Sequence, residues 1–265
     1  MKIASWNVNS LNVRLPHLEQ WLAAARPDVV ALQETKLEDA RFPDTAIAAA
    51  GYRSVFSGQK TYNGVAILAR MDSPGGGVID DVQAGIPGFE DEQKRVLAAT
   101  VNGVRIVDVY VVNGQAVGSD KYAYKLRWLD ALHRWLEDEL RRHPRLVLLG
   151  DFNIAPDERD VHDPVQWNED HILTSRAERD ALDRLLALGL HDAFRALNPD
   201  ERMVSWWDYR QFALRRNLGL RIDLTLVSEA LRPHCVAAGV DKEPRLWERP
   251  SDHAPAWVHL APAGG

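Results

Sequence analysis

The stretch Arg145-Leu-Val-Leu-Leu-Gly-Asp-Phe-Asn153 decides the reading of this chain. Residues 146–149 are an unbroken apolar run, short enough to be a strand buried on both faces. The run stops at Gly150, where the backbone is expected to turn freely. Asp151 and Asn153 follow two residues apart, a spacing that sends both side chains in one direction. Such a pair belongs at the open rim of a sheet, where α/β proteins place ligands. Taken alone, it also fits an Asp and an Asn that merely shape a turn.

Working outward, other strand ends finish the same way. Residues 2–8 read as a strand with Asn7 near its end, and 29–32 as a strand running into Gln33-Glu34-Thr35-Lys36. Residues 95–101 and 104–111 form a hairpin turning at Asn102-Gly103, with Tyr110 near its end. Residues 221–227 form a strand containing Asp223, and Ser251-Asp252-His253 precedes a last strand at 256–260. Another strand is expected at 236–240.

Between these lie helices. One runs through Leu15, Leu18, Leu22 and Ala25, with Pro16 in its first turn and Pro27 at its end. A short one at 42–50 closes at Gly51. Strands at 52–56 and 65–69 are expected to pair across a tight turn at Asn63-Gly64. Asp120 is expected to cap a long amphipathic helix reaching Arg142. Ser175-Arg-Ala-Glu178 is a capping box for a further helix ending at Gly189. No low-complexity linker interrupts the chain, so 1–265 reads as a single domain. The fold class expected is α/β: a four-layer sandwich of two packed mixed β-sheets flanked by helices.

Composition sets outer limits. Of 265 residues, 46% are hydrophobic and 26% charged, as in ordinary globular proteins. No apolar run reaches membrane-span length, and the N-terminus reads straight into a strand, so a cytoplasmic protein is expected. Cys235 is the only cysteine, which excludes an intramolecular disulfide. The net charge of −6 argues against nucleic-acid binding through overall charge. A local basic face is still available: between Arg202 and Arg221 five arginines stand against the single Asp208, interleaved with Trp206, Trp207, Tyr209 and Phe212. That mixture suits phosphates and bases, and equally a solvated loop with buried aromatics.

The strand-end groups are Asn7, Glu34, Tyr110, Asp151, Asn153, Asp223, Asp252 and His253. Nearly all are oxygen donors, a set that suits a hard cation such as Mg²⁺ rather than zinc. With a carboxylate–histidine pair, this is equipment for attacking a phosphate ester.

Trp6-Asn-Val-Asn9, Leu32-Gln-Glu-Thr-Lys36, Gly150-Asp-Phe-Asn-Ile-Ala-Pro156, Gly219-Leu-Arg-Ile-Asp223 and Ser251-Asp-His-Ala-Pro255 together resemble the exonuclease III family of abasic-site endonucleases, within the endonuclease/exonuclease/phosphatase superfamily. The resemblance runs from residue 2 to about residue 260. It implies a DNA-repair phosphodiesterase using Mg²⁺, or Mn²⁺ in its place, on double-stranded DNA with abasic sites or 3′ ends, as a monomer away from membranes. It implies Glu34, Asn7 and Asp252 as metal ligands, with Asp151 and Asn153 at any second metal position. His253 would meet the phosphate, oriented by Asp223. Asp151 would activate water or protonate the leaving group, Asn153 would position the nucleophile, and Tyr110 would bind phosphate. Either Asp151 or His253 would be the base. Lys36, Asn113, Lys121, Lys125, Trp167, Asn168, Trp206, Asn217, Leu220 and Ile222 would face DNA, with Trp206, Leu220 and Ile222 lining the sugar pocket.

Two departures stand out. Tyr110-Val-Val-Asn-Gly-Gln-Ala116 lacks the family's proline, and no basic residue comes before Lys121. The loop 157–174, with Trp167-Asn168, is distinctive and would favour strand ends if it blocked continuous duplex. Other readings from the same residues are a superfamily enzyme acting on a small phosphate ester or phospholipid headgroup, and an inert DNA-binding relative.

Overall fold

The computed structural model describes residues 1–262, so the last three residues of the expected 1–265 domain lie outside it. In chain order the elements are β1 (Lys2–Asn7), α1 (Leu11–Ala25), β2 (Val29–Gln33), α2 (Asp44–Ala49), β3 (Tyr52–Ser57), β4 (Val65–Arg70), β5 (Ile79–Ala84), β6 (Val96–Val101), β7 (Val104–Tyr110), α3 (Asp120–Arg142), β8 (Leu146–Asp151), α4 (Arg176–Leu186), β9 (Leu190–Asp192), α5 (Ala193–Leu197), β10 (Trp206–Trp207), α6 (Ala213–Arg216), β11 (Gly219–Leu220), β12 (Asp223–Ser228), β13 (Cys235–Val240) and β14 (Ala256–Leu260). They build two six-stranded mixed sheets, ordered β13-β14-β1-β2-β4-β3 and β5-β6-β7-β8-β12-β9, and a small ribbon of β10 and β11.

The apolar run that opened the reading shows why the layers stack. In β8, Val147 and Leu149 point into the core between the sheets. Leu146 and Leu148 point outward into the core under α3 and α4. β1 and β2 do the same on the other sheet: Ile3, Val29 and Ala31 face inward, while Ala4, Trp6, Val30 and Leu32 meet α1. A strand with apolar contacts on both faces needs no alternation, hence the continuous run. The result is the expected helix–sheet–sheet–helix sandwich.

Several local expectations change. Gly150 does not turn the chain; it lies inside β8, at φ 149°, where a Cβ would sit 1.8 Å from the carbonyl oxygen of Val109. Its role is close approach of β7. Asn63-Gly64 is not a two-residue hairpin turn, because Ser57 pairs with Val65 and the whole 58–64 segment connects them. Its carbonyls instead accept N–H bonds from Lys36 and Thr35, at 2.8 and 3.2 Å. The cap of α3 is Ser119, whose side chain accepts from the Tyr122 N–H, rather than Asp120. Helix α1 begins at Leu11, so Pro16 lies inside it. The Ser175–Glu178 capping box and the Asn102-Gly103 hairpin turn form as expected.

Candidate active site

Strand register assembles the site. β7 and β8 run parallel with Tyr110 opposite Asp151, and β12 runs antiparallel with Asp223 opposite the same Asp151. β1 and β2 are parallel with Asn7 opposite Gln33, so Glu34 emerges just beyond. β14 is antiparallel to β1 and therefore starts at the same rim, just after His253. One edge of the sandwich thus collects all the strand-end groups. The backbone there is unusual as well: Asn9, Ser10, Glu34, Lys36 and Asn153 all have positive φ. Such costs persist only where surrounding bonds hold them, and they gather at functional sites.

The centre is a buried relay. Asp223 Oδ2 is 2.9 Å from His253 Nδ1 and accepts the Ser205 hydroxyl at 2.6 Å. Asp223 accepts the hydrogen bond of Nδ1–H, which leaves His253 Nε2 facing Asp151, 3.6 Å from its Oδ2. Asp151 also accepts the Asn7 amide at 2.9 Å and the Asn153 backbone N–H at 2.9 Å. Burial disfavours the His253 cation, but Asp223 and Asp151 outweigh it and raise its pKa to about 10. Burial pushes the Asp151 carboxyl up to about 7, with Asp223 adding and His253 opposing. The two groups face each other and titrate as a pair. Burial, then the charges of Glu34 and Asp151, holds the Tyr110 phenol well above its ordinary range, so it stays a neutral hydroxyl.

Glu34 lies on the other sheet. Burial raises its pKa, but Lys36 and the Asn7 amide reverse this and keep it ionised. Asn7 Nδ2 bridges the sheets, donating at 2.9 Å to Glu34 and at 2.9 Å to Asp151. The Lys36 ammonium rests 3.0 Å from Glu34 Oε2. A cationic group already stands against this oxygen donor set, so Glu34 and Asp151 fit a hard cation. The Asn7 oxygen accepts the Asn9 N–H at 3.0 Å, and its nitrogen faces the carboxylates. The two Asp252 oxygens accept from Asn9 and from the Trp206 indole, each at 3.0 Å. Asp151, Asp223 and His253 also bring ligand atoms within 4.8 Å of one another. A histidine that is protonated and already bonded to Asp223 is a poor ligand, so Glu34 with Asp151 is the better seat.

Trp206, Leu220 and Ile222 form one cluster with Trp167, Ile172, Val161 and Leu173. A pocket of about 350 Å³ opens beside it, lined by Trp167, Trp206, Leu220, His162 and Arg210 among others. Asn113, Lys121, Asn168 and Asn217 are exposed. The Asn217 oxygen accepts the Trp207 indole N–H at 3.1 Å. Lys125 corrects the expectation of a DNA contact: it is 0% exposed and ion-paired with Glu178. The arginine–aromatic segment is mixed. Tyr209 and Phe212 are exposed, whereas Trp207 is core and Arg221 is buried against Asp160 and Asp192. Sequence reading missed Ser205, which no pattern marks, and Asn9, which stands in a quoted motif and links Asp252 to Lys36 at 2.6 Å.

Among the described residues no helix is long and apolar enough to cross a membrane. Residues 4–253 match the Endonuclease/Exonuclease/phosphatase family. The chain is 34% identical to exodeoxyribonuclease III of Haemophilus influenzae, covering 98% of this chain and 100% of that protein. Among solved structures it is similar to a 3′ phosphatase from Neisseria bound to a product DNA hairpin, with TM-score 0.94, 49% identity and 98% and 99% of the two chains covered. An AP endonuclease from Archaeoglobus fulgidus gives TM-score 0.92 at 37% identity, covering 98% and 99%. Strand-end chemistry, layer order and full-length similarity agree: the chain belongs to the Endonuclease/Exonuclease/phosphatase family.

Proposed function

We propose that this protein, a DNA-repair phosphodiester hydrolase, works mainly at the 3′ ends of duplex DNA, trimming them and removing 3′ blocking groups, with internal abasic sites cut more slowly. One observation carries the choice of ends: the loop 157–174 is a fixed wall beside the pocket. Asp160 anchors it, bonded to Arg221 and Arg195 at 2.7 Å each. Trp167 packs with Trp206 and Leu220 at its tip. A continuous duplex has to pass this wall, and a strand that ends at the pocket does not. The relative at 49% identity being a 3′ phosphatase supports the same choice.

In this reading Glu34 and Asp151 hold a divalent cation, Mg²⁺ or Mn²⁺ in its place, and Asn7 adds an oxygen only if its amide turns over. When bound there, the cation would supply charge to polarise the phosphoryl oxygen and steady the leaving oxygen. Asp151, set between the Asn7 amide and His253 Nε2, takes the proton of the attacking water. His253, cationic at neutral pH, donates from Nε2 to a phosphate oxygen as charge develops. Tyr110 donates its neutral hydroxyl to another, and Asn153 aligns the nucleophile. Asp252 fixes Trp206, which lines the pocket that receives the sugar, with Leu220 and Ile222 buried behind it. Asn113, Lys121, Asn168 and Asn217 meet the DNA around the rim.

The test is a gel assay on two labelled duplexes, with Mg²⁺ and with chelator. One duplex carries an internal abasic analogue and the other a recessed, blocked 3′ end. Metal-dependent processing of the 3′ end well ahead of abasic incision is expected. Equal rates would contradict the preference, and silence on both would end the nuclease reading.

A further inference from the structure

Lys125 and Glu178 are both 0% exposed and form an ion pair on which no part of the chemistry above draws. Lys125 lies in the second turn of α3 and Glu178 in the first turn of α4. Besides Glu178, the Lys125 ammonium donates to the Asn153 carbonyl at 2.6 Å and to the Asn113 carbonyl at 3.2 Å. An ammonium has three protons, and all three are used. Glu178 in turn accepts the Leu173 N–H at 3.1 Å and the Ser175 hydroxyl at 2.6 Å. A single buried pair therefore ties the ends of three loops: the one after β7, the one after β8, and the closing end of 157–174.

The tie leads straight to the reacting centre. Asn153 has φ +49°, a conformation that a non-glycine residue adopts at a cost. Its N–H supports Asp151 Oδ1, its Nδ2 donates to the Val111 carbonyl at 2.9 Å, and its Oδ1 accepts from Asn113 at 3.2 Å. Its carbonyl is the atom that Lys125 holds. Gly114 seals the contact, since a Cβ there would come within 3.1 Å of the Lys125 stem and 2.9 Å of Ile172.

We infer that Lys125, held by Glu178, is a positioning residue that fixes Asn153 and thereby the orientation of Asp151; the inference rests on the nuclease reading above. It acts through main-chain carbonyls and touches no substrate.

The experiment compares wild type, Lys125→Met and the double variant Lys125→Met/Glu178→Gln on the blocked 3′-end duplex with Mg²⁺. The single variant strands a buried carboxylate and is expected to melt at lower temperature. The double variant removes both charges and is expected to recover most of that loss. Its kcat should stay at least roughly tenfold below wild type, with KM within about twofold, because transition-state alignment is lost and ground-state binding is not. Recovery of kcat together with melting temperature would show a merely structural pair and overturn the inference. A raised KM, with the salt slope of DNA binding reduced by about one, would make Lys125 a phosphate contact and overturn it equally. If wild type turns over neither duplex, the nuclease reading fails on its own. The positioning claim is then read from the Asn153 side-chain amide resonances, which should shift in the double variant; unchanged resonances would refute it.

Discussion

Asp151, Asp223 and His253 stand on or beside strands of the two large sheets, whereas Trp167 stands on the loop 157–174 and Trp206 on the two-residue strand β10, both outside those sheets. In the first region neighbouring strands bring Tyr110 and Asp223 to either side of Asp151 without help from any side chain. In the second, only short main-chain bridges join 160–162 to 219–221, and the wall beside the pocket depends as well on Asp160 meeting Arg221 and Arg195, and on Trp206 donating to Asp252. The difference separates two jobs. Chemistry that needs fixed geometry sits on the sheet rim, and choice of substrate sits on loops that can differ between relatives while the rim stays the same.

The largest effect should come from the rim. Asp151→Asn keeps an acceptor for the Asn153 N–H but removes the proton acceptor, so kcat should fall about 10²–10⁴-fold. DNA affinity measured in chelator should barely move. Retained turnover would remove Asp151 from the centre of the account.

The next effect is a pH shift. In wild type, activity should persist into alkaline pH while His253 stays cationic, towards its pKa of about 10. Asp223→Ala takes away the stronger of the two charges that raise His253. The imidazolium is then lost at lower pH, so the alkaline limb of the rate profile should move to lower pH. An unmoved limb would mean that Asp223 does not control the histidine.

The loop region should respond in stability and selectivity rather than in chemistry. Arg221→Met leaves the buried Asp160 with Arg195 alone and takes the partner of Asp192, and should cost up to about 3–5 kcal/mol in a denaturant titration. The rate per bound 3′ end should change far less than in Asp151→Asn. A rate loss as large as that of Asp151→Asn would erase the distinction between the regions.

The smallest effect lies between the sheets. Burial holds the Asp108 carboxyl well above its ordinary pKa, with Gln33 donating to it at 2.8 Å. The folded state keeps this proton while the unfolded chain releases it near pH 4, so stability falls as pH rises above that value. The slope is at most about 1.4 kcal/mol per pH unit. Asp108→Asn keeps the bond from Gln33 and should flatten the slope without altering activity.

The same contrast explains what could be read from sequence. Apolar runs ending in Asn7, Glu34, Tyr110, Asp151 and Asp223 announce buried strands with polar ends, and pairing does the rest. Lys125 could not be read correctly, because a lysine early in an amphipathic helix looks the same whether it faces solvent or a buried glutamate 53 residues away. Arg221 misled for the same reason, since its partners are Asp160 on a distant loop and Asp192 at the end of β9. Ser205 carries no local mark at all; only the fold brings its hydroxyl to Asp223. Gly150 was legible as a necessary glycine, but its reason, the Val109 carbonyl of the next strand, was not.

The most direct measurement is the ratio of internal abasic incision to 3′-end processing in wild type and in Trp167→Ala, under identical Mg²⁺ conditions. Truncating the wall should raise the ratio several-fold, with 3′-end processing little changed. A ratio that stays the same would mean that the loop does not choose the substrate, and the division of labour between rim and loop would be wrong.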